Sequence, residues 1–286
     1  MDQELPKRLY RYYSGIPRDI QSIKESYLWF STLDKMNDAF EGAHYLEKRN
    51  LTLSACKSII RRTLISAGTA PALAERAIEK KLKAYKSEKE KVAFMVKSIE
   101  ETHSETYKTI INQGYCSMIG EDETQEESLT EVQHLLMWGH YGKGLSGFRV
   151  EFHCGELIES LEKNYQIASD KVIYSSTPPV LDPVKVFAGI LLGEFAENQM
   201  AYEQIRPCYM TKHLAWSYEQ ELRLSALTPG RKNFTPPCIK EIVIGAKMET
   251  AQQKDLIKIV KSASPKARIK IASISKHKYK IELNSI

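Results

Sequence analysis

Two glutamates and one arginine alternate near residue 220, within the segment WSYEQELRL (216–224). If this segment is a β-strand, its two-residue period places Glu219, Glu221 and Arg223 on one face of a sheet. Two carboxylates beside a guanidinium form an arrangement expected in sites that transfer protons or stabilise a cation. A ladder of surface charges that pair across strands is the alternative interpretation.

An arginine within an aromatic run is the second candidate. Arg11 shares a predicted strand face with Leu9 and Tyr13, so we expect its side chain to be partly buried. A buried guanidinium needs an anionic partner. That partner is either one of the two glutamates or a ligand phosphate, which the fork of the guanidinium group can hold.

The segment LMWGHY (136–141) supplies a third set of candidates. His134, Met137, Trp138 and Tyr141 fall on one stripe of a predicted helix, and His140 lies next to that stripe. Such a stripe is typical of core packing, which is the favoured role for Trp138. His140 and Tyr141 are candidates for contacting a ligand.

The glycines of Gly142–Gly147 match G-x-G-x-x-G, but the motif follows a predicted helix and precedes a predicted strand. A dinucleotide site has the reverse order, because its pyrophosphate binds at a helix N-terminus. We therefore interpret these glycines as a helix stop followed by tight turns. The sequence has no P-loop, no G-x-S-x-G and no zinc-ligand spacing, so no ATPase, α/β-hydrolase or metal site is predicted.

Predicted strands lie on both sides of a segment rich in Lys, Glu, Ala and Leu that has helical spacing. We expect an α+β (mixed α/β) fold in which residues 1–45 and 113–286 build a central mixed sheet. Residues 46–112 are expected to form a helical insertion.

Local signals mark two helix starts. Pro71 predicts a start within the insertion, because proline suits the first turn of a helix. Ser128 and Glu131 have the spacing of a capping box for a helix over residues 129–141.

The composition is that of a folded protein, with 286 residues, 42% of them hydrophobic and 27% charged. The five cysteines form no C-x-x-C pair, which argues against a disulfide framework and favours a reducing compartment such as the cytoplasm. No apolar stretch is long enough to span a bilayer, so we expect no membrane association.

The net charge of +5 is concentrated near the end of the chain. Residues 251–286 contain nine Lys or Arg residues against two Asp or Glu residues. Such a basic region is typical either of a nucleic-acid or nucleotide-binding surface or of a solvated protein face.

Several of these segments together resemble the bacterial family known as domain of unknown function 2971. The pieces that carry the resemblance are LYRY (9–12), LWFS (28–31), NDAFE (37–41), LMWGHY (136–141), WSYEQELR (216–223) and IKEI (239–242). They span most of the chain outside the helical insertion.

A more remote similarity connects the chain with ADP-ribosyl transferases, whose arginine, serine and E-x-E elements look like Arg11, Ser31 and Glu219-x-Glu221. Ser117 competes with Ser31 for the serine role. The resemblance implies that the chain uses NAD as a substrate and modifies a protein or nucleic-acid acceptor, in toxin or phage-defence biology.

The resemblance also implies a division of roles. Glu221 would stabilise the positive charge that develops on the ribose, and Glu219 would orient or deprotonate the acceptor. Arg11 would hold the diphosphate, and Tyr12 or Tyr141 would stack on the nicotinamide. Two rival hypotheses stay open: a noncatalytic nucleic-acid or nucleotide-binding module that uses the basic region, and a partner-binding scaffold in which the charged residues form a structural ion network.

Overall fold

The computed structural model describes residues 5–48, 51–120, 127–190 and 195–286, and within them the side chains of residues 127–132, 187–190 and 195–202 are left undescribed. The fold is α+β, as predicted. Its strands are β1 (Arg8–Tyr13), β2 (Tyr27–Phe30), β3 (Tyr45–Leu46), β4 (Gly114–Gly120), β5 (Phe148–His153), β6 (Ile167–Lys171), β7 (Ile173–Ser175), β8 (Val180–Leu181), β9 (Thr211–His213), β10 (Glu221–Ala226), β11 (Gly230–Asn233), β12 (Ile239–Gly245), β13 (Arg268–Ile274) and β14 (Ile281–Ser285).

Several helices begin at a proline or at a capping side chain. They are α1 (Pro17–Lys24), α2 (Leu53–Ser66), α3 (Pro71–Leu82), α4 (Glu88–Ile111), α5 (Glu127–His140), α6 (Cys154–Glu162), α7 (Pro183–Ile190), α8 (Phe195–Met210) and α9 (Thr250–Ala263). The predicted start at Pro71 is confirmed by α3. The side chains of Ser128 and Glu131, predicted to cap α5, lie outside the described ones.

The chain divides into two compact units. The first comprises Met1–Thr32, Gln113–Val172 and Ala215–Ile286, and the second comprises Leu33–Asn112 and Ile173–Leu214. The second unit thus contains the segment singled out as a helical insertion, the stretch 33–45 that precedes it, and a separate later segment, 173–214.

An eight-stranded mixed sheet forms the first unit, in the order β14-β13-β12-β5-β1-β4-β10-β6. Neighbouring strands are antiparallel except β12 and β13, which are parallel. Strands from both ends of the chain therefore meet in one sheet, as predicted. The short β2 and β11 pair with each other beside it.

The two faces of this sheet differ in chemistry. One face buries a large apolar core against α1, α6 and α9, through side chains such as Ile23, Leu157 and Leu256. The other face carries a smaller cluster with Met137 and Trp138 of α5. Because successive side chains of a strand alternate between faces, β1, β5, β10 and β12 place polar and charged residues on the α5 side.

The second unit is built around α2, α3 and α4, which enclose a separate apolar core. α4 begins with a capping box: the Glu90 backbone NH donates to Ser87 Oγ (3.2 Å), and Glu90 Oε2 accepts from the Ser87 backbone NH (3.0 Å). Two small parallel pairs, β3 with β8 and β7 with β9, complete this unit. Among the described residues, none of the helices is long and apolar enough to cross a bilayer.

Candidate functional site

Glu221 lies at the centre of a buried polar cluster on the α5 side of the sheet. Its Oε1 atom accepts from Ser117 Oγ on the neighbouring strand β4 (2.7 Å) and from Arg223 Nε on its own strand (2.7 Å). Glu221 and Arg223 are only 2% and 1% exposed. The prediction that these two residues share one face is confirmed by the pairing of β10 with β4, in which Glu221 faces Ile119 and Arg223 faces Ser117.

Glu219 lies in the same region, but it precedes strand β10 instead of belonging to it. It ends a 3-10 helix, Leu214–Glu219, and Gln220 has a positive φ of 46° before β10 begins at Glu221. The prediction that a strand starts at Glu219 is therefore wrong, because this left-handed residue interrupts the extended backbone.

Tyr141 fixes the carboxylate of Glu219. The Tyr141 hydroxyl donates to Glu219 Oε1 (2.6 Å), and Gln133 Nε2 donates to the Glu219 carbonyl (3.2 Å). Burial, reinforced by the charge of Glu219, raises the pKa of Tyr141 well above its ordinary value, so the phenol stays protonated as a donor. Sequence reasoning singled out Tyr141 and Glu219 but predicted no contact between them, and it missed Gln133.

Tyr10 and Tyr12 of β1 pack under α5 on the same face of the sheet. Tyr12 OH lies 2.6 Å from His134 Nδ1, and its ring meets that of Trp138 edge to face at 5.2 Å. Burial, with the nearby charge of Arg149, lowers the pKa of His134 to about 3, so this imidazole is neutral at physiological pH. Trp138 is 2% exposed, as expected for a packing residue. Tyr12 is likewise buried, against α5.

A trio of aromatic rings lies beside Glu219. His140 stacks on Tyr218 (6.0 Å between ring centroids), and both rings are 6.2 Å from Trp216. His140 is exposed, whereas the other two are half-buried. The Tyr218 hydroxyl is buried and has no hydrogen-bond partner among the described residues. Burial, followed by the charge of Glu219, raises the pKa of Tyr218 to about 12. Sequence reasoning proposed His140 but missed Trp216 and Tyr218, although both stand beside the E-x-E segment.

Arg11 does not belong to this cluster. Tyr10 and Glu221 both pair with Ile119, so Arg11, one residue along β1, points to the opposite face of the sheet. There its Nη1 donates to Cys116 Sγ (2.7 Å) and to the Ser117 carbonyl (3.1 Å). The alternative in which Arg11 pairs with one of the two glutamates is therefore wrong.

Ser117 rather than Ser31 contacts the carboxylate. Ser31 exchanges backbone hydrogen bonds with Tyr115 (2.8 and 2.7 Å) as an isolated bridge, whereas Ser117 donates its hydroxyl to Glu221. The sequence left these two serines as alternatives, and the register of β4 against β10 distinguishes them.

A second ion cluster lies on the same face, in the opposite half of the sheet, on β5, β12 and β13. Glu241 of β12 accepts from Arg149 (2.9 Å) and Arg268 (3.1 Å), and it pairs with Lys270 (2.7 Å). Arg268 also contacts Glu151 at 3.3 Å. Two cations of the basic C-terminal region thus neutralise buried carboxylates, which assigns them a structural role.

The cluster at Glu221 combines groups suited to stabilising a cationic reaction centre. Two carboxylates are each fixed by a hydroxyl group, one guanidinium is ion-paired beside them, and an aromatic trio flanks the second carboxylate. Within the described part of the chain, no group of three or more His, Cys, Asp and Glu side chains is suited to hold a metal ion.

Residues 137–224 match a family model described as protein of unknown function (DUF2971), which supports the predicted resemblance to that family. The matched segment contains Tyr141, Glu219, Glu221 and Arg223, and it ends within β10. Neither a curated protein nor a solved structure matches the chain.

Proposed function

We propose that this chain, which matches the DUF2971 family model over residues 137–224, is an NAD-consuming enzyme that transfers ADP-ribose to a macromolecule. The observation that carries the proposal is the contact between Ser117 Oγ and Glu221 Oε1 on adjacent strands. It orients a carboxylate on the sheet face that also holds Glu219 and its aromatic neighbours.

Glu221 supplies the electrostatic part of the reaction. Cleavage of the bond between nicotinamide and ribose develops oxocarbenium charge on the ribose, which a nearby oriented carboxylate stabilises. Ser117 and Arg223 hold Glu221 in place, so little reorganisation is needed as the charge develops. Arg11, on the opposite face, has no part in this site.

Glu219 then acts on the acceptor. With its carboxylate fixed by Tyr141, it orients the attacking group and accepts its proton. The aromatic trio of His140, Trp216 and Tyr218 stacks on the nicotinamide ring, and the unpaired Tyr218 hydroxyl offers a hydrogen bond to the ligand. This trio replaces Tyr12, which packs beneath α5.

Both carboxylates are almost fully buried, so NAD has to displace part of the trio to reach them. Quenching of Trp216 fluorescence on addition of NAD is therefore expected. A Trp216→Phe variant should lose that quenching, and its persistence in this variant would contradict the assignment of the trio.

The test of activity incubates labelled NAD and a cell extract with wild-type protein, Glu221→Gln and Glu241→Gln. Glu241 is a matched control because it is also a buried, ion-paired glutamate on the same face. We expect label transfer to fall at least about a hundredfold in Glu221→Gln, as is typical when an oriented electrostatic group is removed. Transfer should persist in folded Glu241→Gln. Equal transfer by wild type and Glu221→Gln would remove Glu221 from the mechanism.

Binding of nucleic acid is a second candidate function, favoured by the turn between β13 and β14. Lys276, Lys278 and Tyr279 are exposed there, with Tyr279 fully accessible, so cations and an aromatic ring stand together. Affinity for single-stranded nucleic acid should decrease steeply with salt and decrease further when both lysines are changed to Ala. Salt-independent binding, or no binding at low salt, would dismiss this function.

A further inference from the structure

Two histidines of the second unit meet ring to ring. His44 precedes β3 and His103 lies on α4, 59 residues apart in the chain, yet their Nε2 atoms are 2.7 Å apart. Their ring planes are inclined at 76°, with centroids 4.9 Å apart. Both side chains are partly exposed, so the pair is open to ions from solvent.

The backbone fixes the tautomer of His44. Its Nδ1 lies 2.8 Å from the Gly42 carbonyl oxygen, which can only accept, so Nδ1 carries the proton. The Nε2 lone pair of neutral His44 therefore points at His103. In the metal-free pair, His103 Nε2 donates the proton that the two rings share.

The surroundings of His44 resemble the outer shell of a metal-binding histidine. Such a ligand usually donates its second ring NH to a carbonyl or carboxylate, as His44 does to Gly42. The Tyr107 hydroxyl donates to the same carbonyl (2.7 Å), and the Tyr107 ring lies 4.5 Å from that of His44.

We propose that His44 and His103 bind one divalent transition-metal ion, such as Zn²⁺ or Cu²⁺, through both Nε2 atoms. The ion takes the place of the shared proton, which moves through solvent to His103 Nδ1, so that both rings bind as neutral imidazoles. Two imidazole nitrogens on a tetrahedral ion lie about 3.4 Å apart, since each metal–nitrogen bond is about 2.0–2.1 Å. A separation about 0.7 Å wider than the observed 2.7 Å requires only small ring rotations.

Water completes the coordination of this ion, because no third His, Cys, Asp or Glu side chain joins the pair among the described residues. The site is therefore an open one with moderate affinity. It fastens the chain before β3 to α4 and so stabilises the second unit. Sequence spacing gave no signal for it, because the two ligands are distant along the chain.

The test titrates the full-length, chelator-treated protein with zinc chloride in a calorimeter and uses magnesium chloride as the control ion. We expect one zinc per chain, tighter binding of Cu²⁺ in a parallel titration, and no heat with Mg²⁺. His44→Ala and His103→Ala should each weaken zinc binding more than about tenfold, whereas the exposed His277→Ala should leave it unchanged. Unchanged zinc affinity in either ligand variant would overturn the proposal.

A second measurement does not depend on how the variants fold. The melting temperature of the wild-type protein should rise with excess zinc and not with magnesium, because a ligand that binds the folded state stabilises it. Tyr107→Phe, which removes the outer hydrogen bond, should reduce this rise. No zinc-induced rise in the wild type would also overturn the proposal.

Discussion

Glu241→Gln should destabilise the first unit strongly, although Glu241 has no proposed part in catalysis. Its carboxylate is 3% exposed and lies 2.9 Å from Arg149, whose side chain is 7% exposed. Removal of one partner leaves the other as an uncompensated buried charge, which typically costs about 3–5 kcal/mol. Arg268 is 58% exposed, and a pair so open to water contributes at most about 1 kcal/mol.

We therefore expect the free energy of unfolding to fall by about 3 kcal/mol, a loss that comes mainly from the pair with Arg149. With a urea m-value of about 2 kcal/mol/M, the unfolding midpoint of this unit should decrease by about 1.5 M. The assay is urea unfolding of the full chain, followed by far-UV circular dichroism.

A double variant tests the cause of this loss. Arg149→Met with Glu241→Leu removes both charges, and its stability should return to within about 1 kcal/mol of the wild type. A loss below about 1 kcal/mol in Glu241→Gln alone, or no recovery in the double variant, would refute the reasoning from the buried pair.

Three further predictions concern the opposite sheet face, the second carboxylate and the half-buried imidazole of His134. Arg11→Met should leave NAD turnover within about twofold of wild type in a nicotinamide-release assay, because Arg11 faces away from Glu221. A hundredfold loss would show that Arg11 takes part in the reaction. Tyr141→Phe should lower turnover about tenfold in the same assay, since it removes a hydrogen bond to the carboxylate of Glu219; full activity would show that this contact is dispensable. The pKa of His134 is lowered to about 3 in the folded protein, whereas a histidine in the unfolded chain has a pKa of about 6.5. The neutral ring therefore contributes its full stabilisation above pH 6.5. About 2 kcal/mol of stability should be lost between pH 6.5 and 5, as the unfolded chain takes up a proton. His134→Gln should flatten this part of the curve of unfolding free energy against pH, and an unchanged slope would contradict the burial of a neutral ring.

Residue alternation accounts for what could be predicted of the site. A two-residue period places Glu221 and Arg223 on one face whatever the rest of the fold, and helical spacing does the same for Met137 and Trp138. The fold class followed similarly from the order of the strand and helix patterns along the chain.

The rest depended on contacts between distant segments. Whether Arg11 faces Glu221 depends on the register of β1 and β10 against β4, and a shift of one residue reverses the answer. The choice of Ser117 over Ser31 rests on the same register. The left-handed Gln220 also lacked a signal, because glutamine is not a residue that marks a positive φ.

The most direct test of the central claim is the rate at which purified protein releases nicotinamide from NAD, compared between wild type, Ser117→Ala and Glu221→Gln at equal folded concentration. The account predicts release by the wild type, a reduced rate in Ser117→Ala and almost none in Glu221→Gln. Equal rates in all three proteins, or no release by the wild type with any acceptor extract, would contradict it.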